Sequence, residues 1–106
     1  VTTQLGQLLT ELRRRLAALY GPRLRHTMLF GSQARGDADG QSDVDVLVVL
    51  EGPVVPEIEI RRTGQILADL SLQHDTVVCC VFVSQDQYAR EQSPLLLNIR
   101  REGVAI

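Results

Sequence analysis

The chain has 106 residues, a formal net charge of -2 and 44% hydrophobic residues; this length gives one domain with a real core, and the near-neutral charge gives no overall electrostatic case for nucleic acid or membrane binding. All eleven basic residues are arginine, so a P-loop, which needs its lysine on the phosphates, and lysine Schiff-base chemistry are excluded. No signal peptide and no apolar stretch of membrane length is visible, and a cytoplasmic location is the simplest expectation.

Leu5, Leu8, Leu9, Leu12, Leu16 and Leu19 recur at helical spacing and predict an amphipathic helix from about Thr3 to Tyr20, stopped by Gly21 and Pro22. Its outer face carries Arg13, Arg14 and Arg15, which read either as a surface for RNA or an acidic partner or as an ordinary solvated face; Arg23 and Arg25 extend that basic edge. His26 has no second His or Cys at metal spacing, so it reads as the start of a strand. The apolar run Thr27 to Phe30 ends at Gly31-Ser32. Glycine there allows close backbone approach to a ligand, and Ser32 opens a short helix through Gln33, Ala34 and Arg35, whose N–H groups favour an anion. Arg35, one turn on, would neutralise a further phosphate oxygen.

A loop of small and acidic residues, in which Asp37 and Asp39 read as turn formers, leads to Asp43, Asp45 and a second apolar run, Val44 to Leu50. On a strand, side chains repeat every second residue, so Asp43 and Asp45 share one face while Val44 and Val46 take the other. Two like charges so close repel unless a cation sits between them, and oxygen pairs of this kind suit Mg²⁺ when it also keeps waters and substrate phosphates in its shell.

Beyond Glu51-Gly52-Pro53, a helix is predicted from Glu57 to about Leu72, burying Ile60, Ile66, Leu67 and Leu70. His74 to Ser84 reads as a third strand, apolar enough to be covered on both faces or nearly so. It holds Cys79 and Cys80, which as strand neighbours point to opposite faces and are expected to be reduced and buried. Ser84 caps a short helix, SQDQYARE, and Ser93 with Pro94 starts a last one, SPLLLNIRRE, ended by Gly103; Val104 to Ile106 forms a short extended tail. The alternation of helices and strands predicts an α/β or α+β sandwich with a small sheet, and an uncovered edge of that sheet would suit a homodimer or a hetero-oligomer.

Gly31-Ser32, ten residues, then Asp43-Val44-Asp45 resembles the signature of the minimal nucleotidyltransferases of the DNA polymerase β superfamily, and the surrounding LFGSQARG and SDVDVLVVL are also similar to that family. The resemblance implies a single minimal nucleotidyltransferase domain over residues 1–106, with a mixed sheet of three to four strands backed by helices and the active site on its exposed side. It further implies a Mg²⁺- or Mn²⁺-dependent transfer of a nucleoside monophosphate, AMP from ATP, to a hydroxyl. Asp43 and Asp45 would hold the metals, while Gly31, Ser32 and Arg35 would hold the nucleotide phosphates. Family members usually add a third carboxylate on the next long strand, and Asp75 is the acid available there. By alternation it shares a face with Val77 and Cys79, although Cys79 stands nearer to the family's position. Small stand-alone members are often antitoxins that adenylylate a tyrosine of a HEPN-type toxin partner. The alternative is a non-catalytic nucleotide- or partner-binding module that has lost the third carboxylate.

Overall fold

The computed structural model describes residues 3–36 and 43–106. Helix α1 (Thr3–Tyr20) ends in a single 3₁₀ turn, Gly21–Arg23, and leads into β1 (Leu24–Phe30); α2 (Ser32–Arg35) is one turn long. Strand β2 (Val44–Leu50), helix α3 (Pro56–His74) and strand β3 (Val78–Ser84) form a crossover unit, followed by α4 (Gln85–Arg90), α5 (Pro94–Glu102) and the two-residue strand β4 (Val104–Ala105). The sheet runs β3-β2-β1-β4. Strand β1 is antiparallel to both β2 and β4, whereas β2 and β3 are parallel, as a pair joined through a helix must be. The architecture is α+β, a mixed four-stranded sheet between helices.

Alternation along β2 sorts the core into two layers. Val44, Val46, Val48 and Leu50 pack with the leucines of α1 and with Ile66 and Leu70 of α3, while Leu47 and Val49 pack on the reverse side with Val83, Leu96 and Ile99. Both faces of the central strand are thus covered along most of its length, which its near-continuous aliphatic sequence allows. Thr27 of β1 is buried as well, and its hydroxyl donates to the carbonyl of Ile106 at 2.9 Å, fastening the last residue to the sheet. Among the described residues, no helix is long and apolar enough to cross a membrane.

Three expectations about the packing need correction. Leu19 and Ile60 are exposed, not part of the buried stripes. The buried positions of α3 are Glu59, Thr63, Ile66 and Leu70, with Leu67 only half-buried. A polar side chain takes the place expected of an aliphatic one because Tyr20, buried at the end of α1, donates its hydroxyl to Glu59 Oε1 at 2.7 Å, and Arg62 reaches the same oxygen at 3.3 Å. Burial raises the Tyr20 hydroxyl pKa, and the hydrogen bond to Glu59 adds to the rise. The 3% exposed carboxylate of Glu59 is therefore partnered, as a buried charge must be.

The third strand is shorter than its composition suggests. Helix α3 continues through His74 and stops at Asp75, which takes the left-handed conformation (φ 51°) and donates its N–H to the carbonyl of Ser71. Pairing with β2 starts only at Val78. Nor are both cysteines buried: Cys79 is exposed and Cys80 is half-buried, and both are free thiols.

Candidate active site

The antiparallel β1–β2 pair sets Phe30 opposite Asp45, and the parallel β2–β3 pair sets Cys79 on the other side of Asp45. Residues aligned across a sheet project from the same face, so Phe30, Asp45 and Cys79 form one row. This is the face of Leu47 and Val49, opposite the layer built by α1 and α3. Asp43, one residue before the strand begins, precedes Asp45 by one full pleat and is exposed; Asp45 is half-buried. Burial raises the Asp45 pKa first, and the nearby Asp43 charge raises it further. Cys79 responds to the same neighbourhood: burial raises its thiol pKa, followed by the charges of Asp45 and Asp43. Cys80 points into the helical layer, where burial pushes its thiol up to about 12.

The turn at the end of β1 is built against this carboxylate pair. Gly31 has φ 77°, and a Cβ placed on it would lie 2.8 Å from Asp45 Oδ2. Any side chain there would be strained twice, by the backbone and by the acid. The Gly31 carbonyl accepts from the N–H groups of Ala34 and Arg35, at 3.1 and 3.2 Å, and so closes the single turn of α2 that Ser32 begins. Ser32 is half-buried and immediately follows the residue that touches Asp45. Arg35 is exposed, and its Nη1 lies 3.8 Å from Glu102 Oε2 at the last turn of α5.

The structure thus brings Gly31, Ser32, Asp43 and Asp45 to one end of that face, where Asp43 is exposed and Asp45 half-buried. Asp75 is not placed there by strand alternation, because it belongs to the cap of α3 and lies outside β3. The strand position beside Asp45 is filled by Cys79, and among the described residues no group of three or more His, Cys, Asp or Glu side chains is gathered closely enough to hold a metal. Asp37 and Asp39 lie outside the described residues. The arginines of α1 are engaged within the chain: Arg13 with Thr27 and the Ile106 carbonyl, Arg14 with Glu11, and Arg15 with Asp69 of α3 at 3.2 Å. A groove of about 520 Å³ between α1 and β4, lined by Leu9, Arg13, Ala17 and Ile106 among others, includes neither acid.

The role of Phe30 as cross-strand neighbour of Asp45 escaped the sequence reading, since a hydrophobic residue before Gly-Ser carries no chemical mark of its own. The ion pair from Glu102 to Arg35 was equally hidden, because the two residues are brought together only when α5 returns across the sheet.

The nucleotidyltransferase domain family matches residues 9–94. A curated protein of Methanocaldococcus jannaschii, provisionally named a protein adenylyltransferase, is 33% identical over 73 residues, which cover 68% of this chain and 72% of that protein. Among solved structures, a toxin–antitoxin crystal structure with AMP-PNP superposes with a TM-score of 0.63 at 20% identity, covering 98% of this chain and 72% of that one. A MntA–HpeT toxin–antitoxin structure gives a TM-score of 0.60, also at 20% identity, over 95% of this chain and 69% of its own. At such identities the superpositions speak for a shared fold, while the family match spans most of the sequence and takes in both halves of the site. With the serine-led turn and the acid pair meeting at one end of this sheet, the chain belongs to the nucleotidyltransferase domain family.

Proposed function

We propose that residues 1–106 act as one minimal nucleotidyltransferase domain that transfers AMP from ATP to a hydroxyl on a protein acceptor, a tyrosine of a HEPN-type toxin partner, in the cytoplasm. The observation that carries this is the placement of Asp43 and Asp45 side by side at the end of β2, where Asp43 is exposed and Asp45 half-buried, with Gly31 pressed against the second acid. The name of the archaeal relative supports adenylyl transfer to protein, and the toxin–antitoxin structures, one with AMP-PNP, support the setting.

Asp43 and Asp45 fit a hard divalent cation, Mg²⁺ or Mn²⁺: both are oxygen donors, both are open to solvent at least in part, and their mutual repulsion is relieved when a cation lies between them. Such an ion would neutralise phosphate charge and polarise the α-phosphoryl group. The acceptor oxygen forms its bond to the α-phosphorus, the bond to the bridging oxygen breaks, pyrophosphate leaves and the hydroxyl proton is released. Ser32 and the first turn of α2 hold the terminal phosphates, Gly31 lets them approach, and Arg35 exchanges Glu102 for a phosphate oxygen. For Asp75 to serve as third metal ligand and base, it would have to reach in from the α3–β3 turn.

Asp43→Asn and Asp45→Asn should each lower Mg²⁺-dependent pyrophosphate release by more than roughly 100-fold with the far-ultraviolet circular dichroism unchanged. Full turnover in both variants would overturn the assignment. A second reading is favoured by Cys79 in the strand position beside Asp45: the chain binds nucleotide or its partner without turnover. Calorimetric titration with ATP and Mg²⁺, run beside the turnover assay and followed by intact-mass measurement of a co-expressed toxin, separates the two, since binding with no nucleotide mass on the partner supports the module.

A further inference from the structure

Helix α5 lies on the Asp45 side of the sheet, where Leu96 and Ile99 pack with Leu47 and Val49. It ends beside the serine-led turn. Gly103 donates its N–H to the Ile99 carbonyl at 2.7 Å, and a Cβ built on it would stand 2.5 Å from that oxygen and 3.0 Å from Met28 Cε. A side chain at 103 would therefore force α5 away from β1. Val104, the next residue, pairs with Leu29, two positions before Gly31. Backbone packing thus fixes the last turn of α5, with Arg101 and Glu102, against the end of β1.

Glu102 is divided between two cations. Its Oε2 lies 3.8 Å from Nη1 of Arg35 on α2, and its Oε1 lies 3.7 Å from Nη2 of Arg101. Both separations exceed an ordinary charge-assisted hydrogen bond, and all three side chains are more than a third exposed, so the pairs are weakly held. Arg101 also donates to Asn98 Oδ1 on its own helix at 3.0 Å, whereas its neighbour Arg100 is committed away from this corner, to the carbonyls of Tyr88 and Glu91. A carboxylate with one oxygen toward each of two guanidiniums marks the place of a small anion between them. That place adjoins the turn from Gly31 to Arg35, whose glycine abuts Asp45.

We propose that Arg35 and Arg101 form a clamp for the β- and γ-phosphates of the nucleotide, with Glu102 as a placeholder that the phosphates displace. This assigns Arg101 and Glu102 to the site through a helix far along the chain from the Gly-Ser and Asp-Val-Asp motifs. Charge decides the exchange: the phosphate tail brings several negative charges and many acceptor oxygens where Glu102 brings one charge, and a guanidinium meets phosphate in a two-pronged geometry. Glu102 acts again after transfer. Once pyrophosphate is separated from AMP, the carboxylate competes for the same two cations and weakens retention of the product. The clamp rests on the nucleotide-binding part of the reading above and does not depend on turnover.

Calorimetric titrations with ATP, AMP and inorganic pyrophosphate, each with Mg²⁺ and without acceptor protein, test it. Arg101→Ala should weaken binding of ATP and pyrophosphate on the order of 10-fold and leave AMP unchanged. Glu102→Gln should do the reverse, tightening both by about 2- to 5-fold, and the gain should shrink in the double variant, because the two residues act on one another. Arg61→Ala, on α3 in the opposite layer, should alter none of the three affinities. A merely structural role for the end of α5 would move all three ligands alike. Unaltered ATP and pyrophosphate affinity in Arg101→Ala, or looser binding in Glu102→Gln, overturns the clamp. If the wild type binds ATP with no dependence on Arg101, the acid-pair site stands and the clamp alone falls; a wild-type chain that binds neither ATP nor pyrophosphate removes both.

Discussion

The side chain that Gly31 lacks would begin 2.8 Å from Asp45 Oδ2, closer than a Cβ stands to atoms it is not bonded to. The turn that is to hold phosphate and the acid that is to hold the metal therefore occupy adjoining space, and neither can be displaced alone. Gly31→Ala should cost about 1–2 kcal/mol through its left-handed backbone alone. It should also push Asp45 off its position, lowering nucleotide transfer by roughly 100-fold or more. Chemical denaturation and a pyrophosphate assay on the same preparation measure the two effects, and a variant that loses stability but keeps its rate would mean that Asp45 is not part of the reacting centre.

The repulsion between Asp43 and Asp45 predicts a stability that depends on pH. Because the folded state raises the Asp45 pKa, by burial and by Asp43, the native carboxyl holds its proton more tightly than the unfolded chain does. Ionised Asp45 thus costs stability at neutral pH, and that cost disappears as pH falls through the raised pKa. In EDTA at neutral pH, Asp45→Asn should melt above the wild type, with the difference closing toward zero below the ordinary aspartate range. Mn²⁺ should raise the wild-type melting temperature and leave the variant where it was. Thermal melts at the two pH values and with the ion decide it; equal melting temperatures throughout would remove the electrostatic coupling.

Asp75 offers a substitution that separates a cap from a ligand. It stands in the left-handed region, where a residue with a Cβ is strained and glycine is the usual C-terminal cap. Asp75→Gly should stabilise the protein by about 0.5–1 kcal/mol and leave transfer unchanged. Should the variant gain stability but lose transfer, its carboxylate reaches the metals from the turn after all.

Cys79 occupies the strand position beside Asp45 where a third carboxylate would complete the acid pair. It is exposed, aligned with Asp45 on the same face and affected by the charges of both acids. Cys79→Asp supplies a third hard oxygen ligand there and should tighten Mn²⁺ binding by about 10-fold or more, since affinity for hard cations follows ligand charge. Titration monitored by Mn²⁺ electron paramagnetic resonance gives the affinity. If transfer rises in step, the cysteine is what limits the reaction; unaltered Mn²⁺ affinity would show that position 79 does not face the ion.

Where hydrophobic periodicity and local turn chemistry decide structure, the sequence was a sufficient guide. Helix α1 ends at Tyr20 because Gly21 and Pro22 follow, and β2 spans Val44 to Leu50 because its valines alternate across two packed layers. The spacing from Gly31-Ser32 to Asp43 and Asp45 marked residues that β1 and β2 bring together. What escaped was set by partners distant in sequence. Glu59 reads as solvent-facing until Tyr20 arrives from α1 to bond it. The beginning of β3 cannot be told from HDTVVCC, because the last turn of α3 is held by Asp75 in a backbone conformation that only tertiary context makes tolerable for aspartate. The exposure of Cys79 follows from β3 being an edge strand, a property of the sheet order and not of its composition.

The parity of β2 joins folding to chemistry in a way that guards against a particular error. Were the strand to slip by one residue against its neighbours, Asp45 would be driven among the leucines of α1 while a valine took its half-buried place on the other face. Such a misthreaded form would combine a desolvated charge with lost aliphatic contact, so the population that achieves a complete core has, by the same choice, already set its paired acids away from the α1 layer.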